Sequence, residues 1–267
     1  MLQNRCGIIF GVANRHSIAW SVAQSQAAAG ARLAFCFKDE RSREQLKSLT
    51  REMSGALILH CDVADHENVT EAFAQVKEKF GRLDFLVHSL AFAPREALRG
   101  EYLDTSREAF LTTLDISVYS LVVLARAAAP LMTEGGSIVT MTYYGAEKVV
   151  PNYNMMGVAK AALEASMRYL AADLGKDNIR VNAISSGPVN TLSSRAISHC
   201  SELIKCYAEI APLQRNVEAR EVGDCALFLC SPFSSGITGE VVHVDCGYNI
   251  IGYSNHESSE LRRIKRT

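Results

Sequence analysis

Short apolar runs rich in β-branched residues alternate along the chain with longer stretches whose apolar positions recur at helical spacing. The short runs predict strands at Cys6–Phe10, Arg32–Phe37, Leu57–Cys61, Phe85–His88, Ser137–Thr142, Arg180–Ile184 and Val241–Val244. The longer stretches predict helices over Ser17–Ala29, Arg41–Met53, Val69–Phe80, Tyr119–Leu131, Tyr153–Leu174 and Glu218–Leu229. Strict alternation predicts a parallel sheet covered on both faces, because each crossover packs its helix on the sheet. Seven strands in one unbroken series predict a single α/β domain of Rossmann-type, doubly wound architecture over residues 1–254.

Punctuation supports these bounds. Gly30 follows the first helix, Gly175 follows the long one as an expected left-handed cap, and Pro130 falls near the end of the Tyr119 helix. Two segments break the rhythm. Residues 186–215 are long for a connection between a strand and a helix and predict a substrate loop. Residues 255–267 are polar, end in LRRIKRT, and predict a solvated tail.

Charge removes several classes of function. The 28 Lys+Arg nearly cancel the 29 Asp+Glu, leaving no electrostatic footprint for nucleic acid. No secretory signal is recognised at the N-terminus and no apolar run reads as a membrane span, so the chain is expected to be cytoplasmic. The 8 cysteines are scattered without a CxxC pair, several of them inside apolar runs. They read as reduced core thiols, and no metal site is expected.

Candidate chemistry collects at the C-terminal ends of the strands, where open α/β sheets bind ligands. The first strand runs into Gly11-Val-Ala-Asn-Arg-His-Ser17-Ile18-Ala19 and then a helix. Such a turn brings backbone N–H groups and the positive helix end toward a pyrophosphate, although the full glycine fingerprint is missing. Ser17 is expected to cap the helix and offer its hydroxyl. The second strand ends in Lys38-Asp39-Glu40: a cation there favours a 2′-phosphate, and an acid favours a free ribose. Asp62 and Val63 end the third strand as an adenine edge, and Ser89 and Leu90 end the fourth with small, close backbone. Taken singly, each is equally an ordinary capped turn or a solvated charged corner. The convergence of these strand ends on one crevice favours a bound dinucleotide more than any single motif does.

Tyr143 follows the fifth strand, and Tyr153 and Lys160 follow on the next helix. Seven helical residues turn the chain by about 700° and rise about 10.5 Å, so Tyr153 and Lys160 share a face. A phenol with an ammonium nearby suits stabilisation of an oxyanion formed by hydride addition to a carbonyl or an enoyl thioester. Two core tyrosines and a surface lysine would be the bland reading. Their coincidence with the crevice argues against it.

These residues resemble the bacterial enoyl-acyl-carrier-protein reductases, a divergent branch of the short-chain dehydrogenase/reductase superfamily. The resemblance is carried by Gly11…Ser17-Ile18-Ala19, Cys61-Asp62-Val63, His88-Ser89…Phe92-Ala93-Pro94, Tyr143…Pro151-Asn152-Tyr153-Asn154…Met156-Gly157…Ala159-Lys160, Arg180-Val181-Asn182-Ala183-Ile184-Ser185…Gly187-Pro188 and Gly239-Glu240-Val241…Asp245, from about Cys6 to Tyr253. Ordinary superfamily members have a Tyr-xxx-Lys pair and an upstream serine. Counted back from Lys160, Met156 holds their tyrosine position and Tyr143 their serine position.

The resemblance implies roles. Tyr153 hydrogen-bonds the thioester carbonyl, Lys160 binds the coenzyme ribose, and Tyr143 lines the active site. Gly11, Ser17, Ile18, Lys38, Asp62, Val63, Ser89, Leu90, Val189, Asn190, Thr191, Leu192 and Ser193 fall at coenzyme positions, and Ala93, Met156 and Leu203 at the acyl pocket. NADH is the implied coenzyme, with NADPH the alternative because Lys38 stands where many NADH-using relatives carry glutamine. An acyl-carrier-protein-bound enoyl substrate and a homotetramer are implied as well. The segment Ser194–Glu202 departs from the family loop and lacks its basic cluster, which leaves affinity for the acidic carrier open.

Two other readings remain at this stage. A generic alcohol or ketone dehydrogenase is opposed by Met156. A nucleotide-binding regulator without catalysis is supported only by the altered loop.

Overall fold

In the computed structural model the described residues are 1–191 and 200–252, with 200–203 described as helix without their side chains. Leu192, Ser193, the side chain of Leu203 and the tail 255–267 lie outside them.

The seven expected strands form: β1 Cys6–Phe10, β2 Arg32–Phe37, β3 Leu57–His60, β4 Phe85–His88, β5 Gly136–Thr142, β6 Ile179–Ser186 and β7 Val241–Val244. They pair in parallel in the order β3-β2-β1-β4-β5-β6-β7. The order reverses direction between β1 and β4, and a crevice opens at such a switch point beyond the C-terminal strand ends. Register places Phe10 beside His88 and Thr140 beside His88 on its other side, so these ends line up across the sheet.

The helices are α1 Ile18–Ala28, α2 Glu40–Leu49, α3 His66–Phe80, α4 Arg107–Leu114, α5 Ser120–Ala128, α6 Asn154–Leu174, α7 Cys200–Ile210 and α8 Ala219–Cys230. Successive strand residues point to opposite faces. Ile8 and Phe10 therefore join the core that includes Leu121, Leu124, Leu163 and Met167, while Ile9 and Phe35 join the core that includes Trp20, Val22, Val222 and Leu229. Burial on both faces explains the unbroken apolar character of the strands. Cys36 and Cys61 sit in the first core and Cys230 in the second, where burial pushes the Cys230 thiol up to about 12.

Four sequence expectations change. Gly175 is not a left-handed cap: its φ is −59°, a short 3-10 turn continues through Asp177, and Asn178 takes the left-handed conformation at φ 56°. Asparagine tolerates that region, so the chain reverses three residues later than the glycine suggested. The helix placed at Tyr119–Leu131 is the end of a longer run, in which α4 leads through a π-turn at Asp115–Tyr119 into α5 and a 3-10 turn at Ala129–Leu131. That run, Arg107–Leu131, is long and apolar enough by length and composition to cross a membrane, contrary to the sequence reading. Half of its most apolar window is buried inside the fold, where α5 packs on α3 and α6, so its apolarity serves the core. Finally, the expected loop 186–215 contains α7.

His88, at the end of β4, is fully buried. Its Nδ1 lies 2.9 Å from Thr140 Oγ1 and its Nε2 lies 2.9 Å from Ser120 Oγ. Ser120 donates its own proton to the Ile116 carbonyl at 2.7 Å, so it accepts from His88, and the ring is assigned as the neutral Nε2–H tautomer. Burial, with the nearby Lys160 charge, lowers its pKa to about 3. Between that value and the ordinary histidine range the unfolded chain binds the extra proton, so stability falls as pH falls through this window. Removing the ring removes this proton uptake. In urea unfolding, the stability gap between the native chain and a His88→Gln variant is expected to shrink on the order of 3 kcal/mol from pH 7 to pH 4. A gap independent of pH would contradict the buried neutral assignment.

Candidate active site

The site begins with a backbone constraint at the end of β1. Gly11 has φ +94°, and a Cβ there would fall 2.0 Å from the Ser89 carbonyl oxygen. Only glycine lets the β1–α1 turn lie this close to the segment leaving β4. Ser17 occupies the cap position of α1, yet its hydroxyl donates to the Asn14 carbonyl at 2.7 Å and makes no cap bond. The expected side-chain cap is therefore absent: the tight Asn14–Ser17 turn claims the hydroxyl first. No acidic residue stands in the first turn of this 11-residue helix. Its positive end, uncapped by any side chain, faces the crevice in the manner that suits a pyrophosphate. Ile18, Ser89 and Leu90 are half-buried around it.

At the adenosine end, Lys38 Nζ lies 2.9 Å from Asp62 Oδ2. Burial raises the Asp62 pKa, but Lys38 and the Ala64 N–H outweigh it and hold the carboxyl below its usual range. The acids that follow Lys38 turn away to α2. Asp39 accepts from the Ser42 N–H at 2.8 Å as a helix cap, and Glu40 pairs with Arg43 at 3.1 Å. The Lys38 charge is thus paired with Asp62 where β2 and β3 end, with Val63 half-buried in the next position.

At the chemical end, Tyr153 stands at the N-cap of α6, one residue before the helix that was expected to include it. Asn152 and Asn154 flank it with φ of 64° and 38°, conformations that asparagine tolerates better than most residues. Asn154 Nδ2 holds the turn by donating to the Gly100 carbonyl at 3.1 Å. Gly145 makes room for the ring, since a Cβ there would lie 2.5 Å from Tyr153 Cδ1. The phenol is buried with Leu98 and Met156, and Ala93, Tyr143 and Val150 pack against them. Tyr143 meets Tyr153 edge-on at 4.9 Å and 72°. Burial, then the Tyr143 phenol, pushes the Tyr153 hydroxyl well up, so it keeps its proton as a donor.

Lys160 is only 6% exposed. Its Nζ donates to the Met141 carbonyl at 2.7 Å, at the C-terminal end of β5. Burial lowers its pKa to about 8, and Glu164 opposes that shift. Glu164, one helical turn further along α6, accepts from Thr142 Oγ1 at 2.7 Å. Burial raises its carboxyl pKa, which the Thr142 bond partly offsets. The Glu164 charge acts on the ammonium from one helical turn away.

The structure thus gathers Tyr143, Tyr153, Lys160, Met156 and Ala93 at one end, and Gly11, Ser17, Ile18, Ser89 and Leu90 beside them along the strand ends. Val189, Asn190 and Thr191 leave β6 on the same edge, with Thr191 buried. Leu192, Ser193 and the Leu203 side chain, predicted members of the site, fall outside the described residues. Sequence reasoning missed Glu164, whose spacing of four from Lys160 was available as a signal. It also missed Ser117, whose hydroxyl accepts from the Phe92 N–H and donates to the Phe92 carbonyl, both at 2.9 Å. That clamp sits on the π-turn, which pattern reading does not reveal.

Comparison with known proteins agrees with this geometry. A family model described as enoyl-(acyl carrier protein) reductase matches residues 11–249. The enoyl-acyl-carrier-protein reductase (NADH) FabI of Rickettsia typhi is 52% identical over 254 residues, covering 95% of this chain and 97% of that protein. A Bacillus cereus enoyl-acyl carrier protein reductase, solved with NADP+ and indole naphthyridinone, superposes with a TM-score of 0.93 at 47% identity, covering 94% of this chain and 99% of that one. The Anaplasma phagocytophilum reductase, solved with NAD, gives a TM-score of 0.92 at 48% identity, covering 95% and 97%. From the glycine that ends its first strand to the turn after its last, this chain belongs to the enoyl-(acyl carrier protein) reductase family.

Proposed function

We propose that the protein reduces the trans-2 double bond of enoyl thioesters carried on acyl carrier protein, with NADH as hydride donor, the last reductive step of type II fatty acid elongation. The observation that carries this reading is the buried pair of Tyr153 and Lys160, with Met156 and Tyr143 where ordinary dehydrogenases have tyrosine and serine. We further take residues 1–254 as one reductase domain acting as a cytoplasmic homotetramer. Exposed Leu111 and Tyr169, on α4 and α6, are suitable for subunit contact.

The residues fit a dinucleotide: a glycine cradle against β4, an α1 terminus without a side-chain cap, and an ammonium near the strand ends. Gly11, Ser17 and Ile18 would hold the pyrophosphate, and Lys38, Asp62 and Val63 the adenosine. Ser89, Leu90, Lys160 and Val189–Thr191 would hold the nicotinamide half. Neutralisation of Lys38 by Asp62 leaves little unpaired positive charge for a 2′-phosphate and supports NADH over NADPH.

When bound, the dihydronicotinamide supplies the hydride that adds to the β-carbon of the substrate. Electron density then moves onto the thioester oxygen. The Tyr153 hydroxyl, kept protonated by burial, donates a hydrogen bond to that oxygen as its charge grows. A proton drawn from solvent and delivered to the α-carbon completes the saturated thioester. Lys160 carries three donors, one of them spent on the Met141 carbonyl, and the others suit ribose hydroxyls. Its positive charge also favours the developing enolate. Ala93, Met156 and Leu203 would line the acyl chain.

Two outcomes test the reading. With a crotonyl thioester and NADH, Tyr153→Phe is expected to lower kcat about 10²- to 10³-fold while NADH binding persists, as for loss of one oxyanion donor; undiminished turnover would remove Tyr153 from the mechanism. The working form of Lys160 is the ammonium, whose pKa lies at about 8. The kcat/KM for NADH should therefore hold below that pH and decline as pH rises through it, and a profile flat to about pH 9.5 would exclude Lys160 as the ionising group.

A further inference from the structure

Beyond β4 the chain runs from Ser89 to Pro94 as neither strand nor helix. No ladder of backbone hydrogen bonds holds such a segment, so side chains must fix it. This stretch carries Ser89 and Leu90, proposed above for the coenzyme, and Ala93, which packs against the buried cluster of Leu98, Tyr153 and Met156.

Two serines, on and just after the π-turn Asp115–Tyr119, tether the segment at both ends. Ser117 is fully buried; it accepts from the Phe92 N–H and donates to the Phe92 carbonyl, both at 2.9 Å. Ser120, 1% exposed, accepts from His88 at 2.9 Å. The same π-turn packs on α6, the helix that presents Tyr153 at its start and Met156 and Lys160 in its first turns. One wall of the proposed thioester pocket is Ala93, the other is α6, and the π-turn joins them. A hydroxyl donates and accepts at once, and Ser117 spends both capacities on one residue. A serine serving only its own helix would bond the carbonyl one turn back, as Thr113 does to the Ala109 carbonyl at 2.7 Å.

We propose that Ser117 is a positioning residue for the reduction: its two bonds to the Phe92 backbone set the separation between Ala93 and the Tyr153–Met156 face of α6, and with it the seating of the thioester against the Tyr153 hydroxyl. The proposal rests on the enoyl-thioester reading of the site. Sealed from solvent, Ser117 acts through Phe92 and Ala93 and not by touching the substrate.

The test combines steady-state kinetics on a crotonyl thioester with NADH, coenzyme affinity followed by NADH fluorescence, and Tm. Turnover by the native protein tests the functional reading, and only the variants test Ser117. Ser117→Ala should lower kcat/KM for the thioester about tenfold, chiefly through KM, with the NADH Kd within about twofold because the His88 tether and the Gly11 turn remain. Ser117→Cys fills the space with a weak donor and should show the same pattern, so the result does not hang on the fit of one variant. Thr113→Val removes another fully buried hydroxyl from the same helical run. It should lower Tm to a similar degree and leave kcat/KM within about twofold of native. Native kcat/KM in both Ser117 variants would overturn the proposal. So would an equal loss in Thr113→Val, or a matching loss of NADH affinity in the Ser117 variants, because either would mark a general loosening of the fold.

Discussion

A lysine ammonium withdrawn from water is the constraint around which this site is organised. Burying a charge is costly unless hydrogen bonds and opposing charge replace the lost hydration. Here the Met141 carbonyl takes one donor, and Glu164, held by Thr142, stands one turn along the helix. Both Met141 and Thr142 belong to the C-terminal end of β5. The position of the ammonium is therefore set by the register between α6 and the central strands, and the neutral His88 nearby adds no competing positive charge. Tyr153 is fixed relative to the same helix by the two left-handed asparagines on either side of it.

The sheet topology places the remaining parts within reach. With β1 and β4 adjacent at the point where strand order reverses, the Gly11 turn lies against the Ser89 backbone. The ends proposed to take phosphate and to carry the chemistry then share one edge of the sheet, although Gly11 and Lys160 are far apart in sequence. Ser117 clamps Phe92 from the π-turn and fixes the chain as it leaves β4 toward Ala93. The helical run that provides Ser117 is apolar because it fills the core between α3 and α6. One element thus serves packing and site geometry together.

The strands were legible because burial on both faces makes each a compact β-branched run, and four of the seven were placed with their observed bounds. Their order could not be read from pattern alone, but unbroken alternation with helices implied parallel pairing. The Tyr153 and Lys160 pair was legible through spacing. What escaped was decided by tertiary context. The hydroxyl of Ser17 went to a local turn, the chain reversal passed from Gly175 to Asn178, and α4 and the π-turn carry too few periodic cues. The pairing of Ser117 with Phe92 joins positions that no local spacing relates, so only the folded chain reveals it.

The most direct test of the central claim is a crystal structure of the protein with NAD+ and a crotonyl thioester, a pair that cannot react. The account predicts the coenzyme across the C-terminal ends of β1 and β4, Lys160 Nζ on the ribose hydroxyls, and the Tyr153 hydroxyl within hydrogen-bond distance of the thioester carbonyl. A coenzyme bound elsewhere, or a thioester carbonyl answered by another donor while Tyr153 points away, would contradict it.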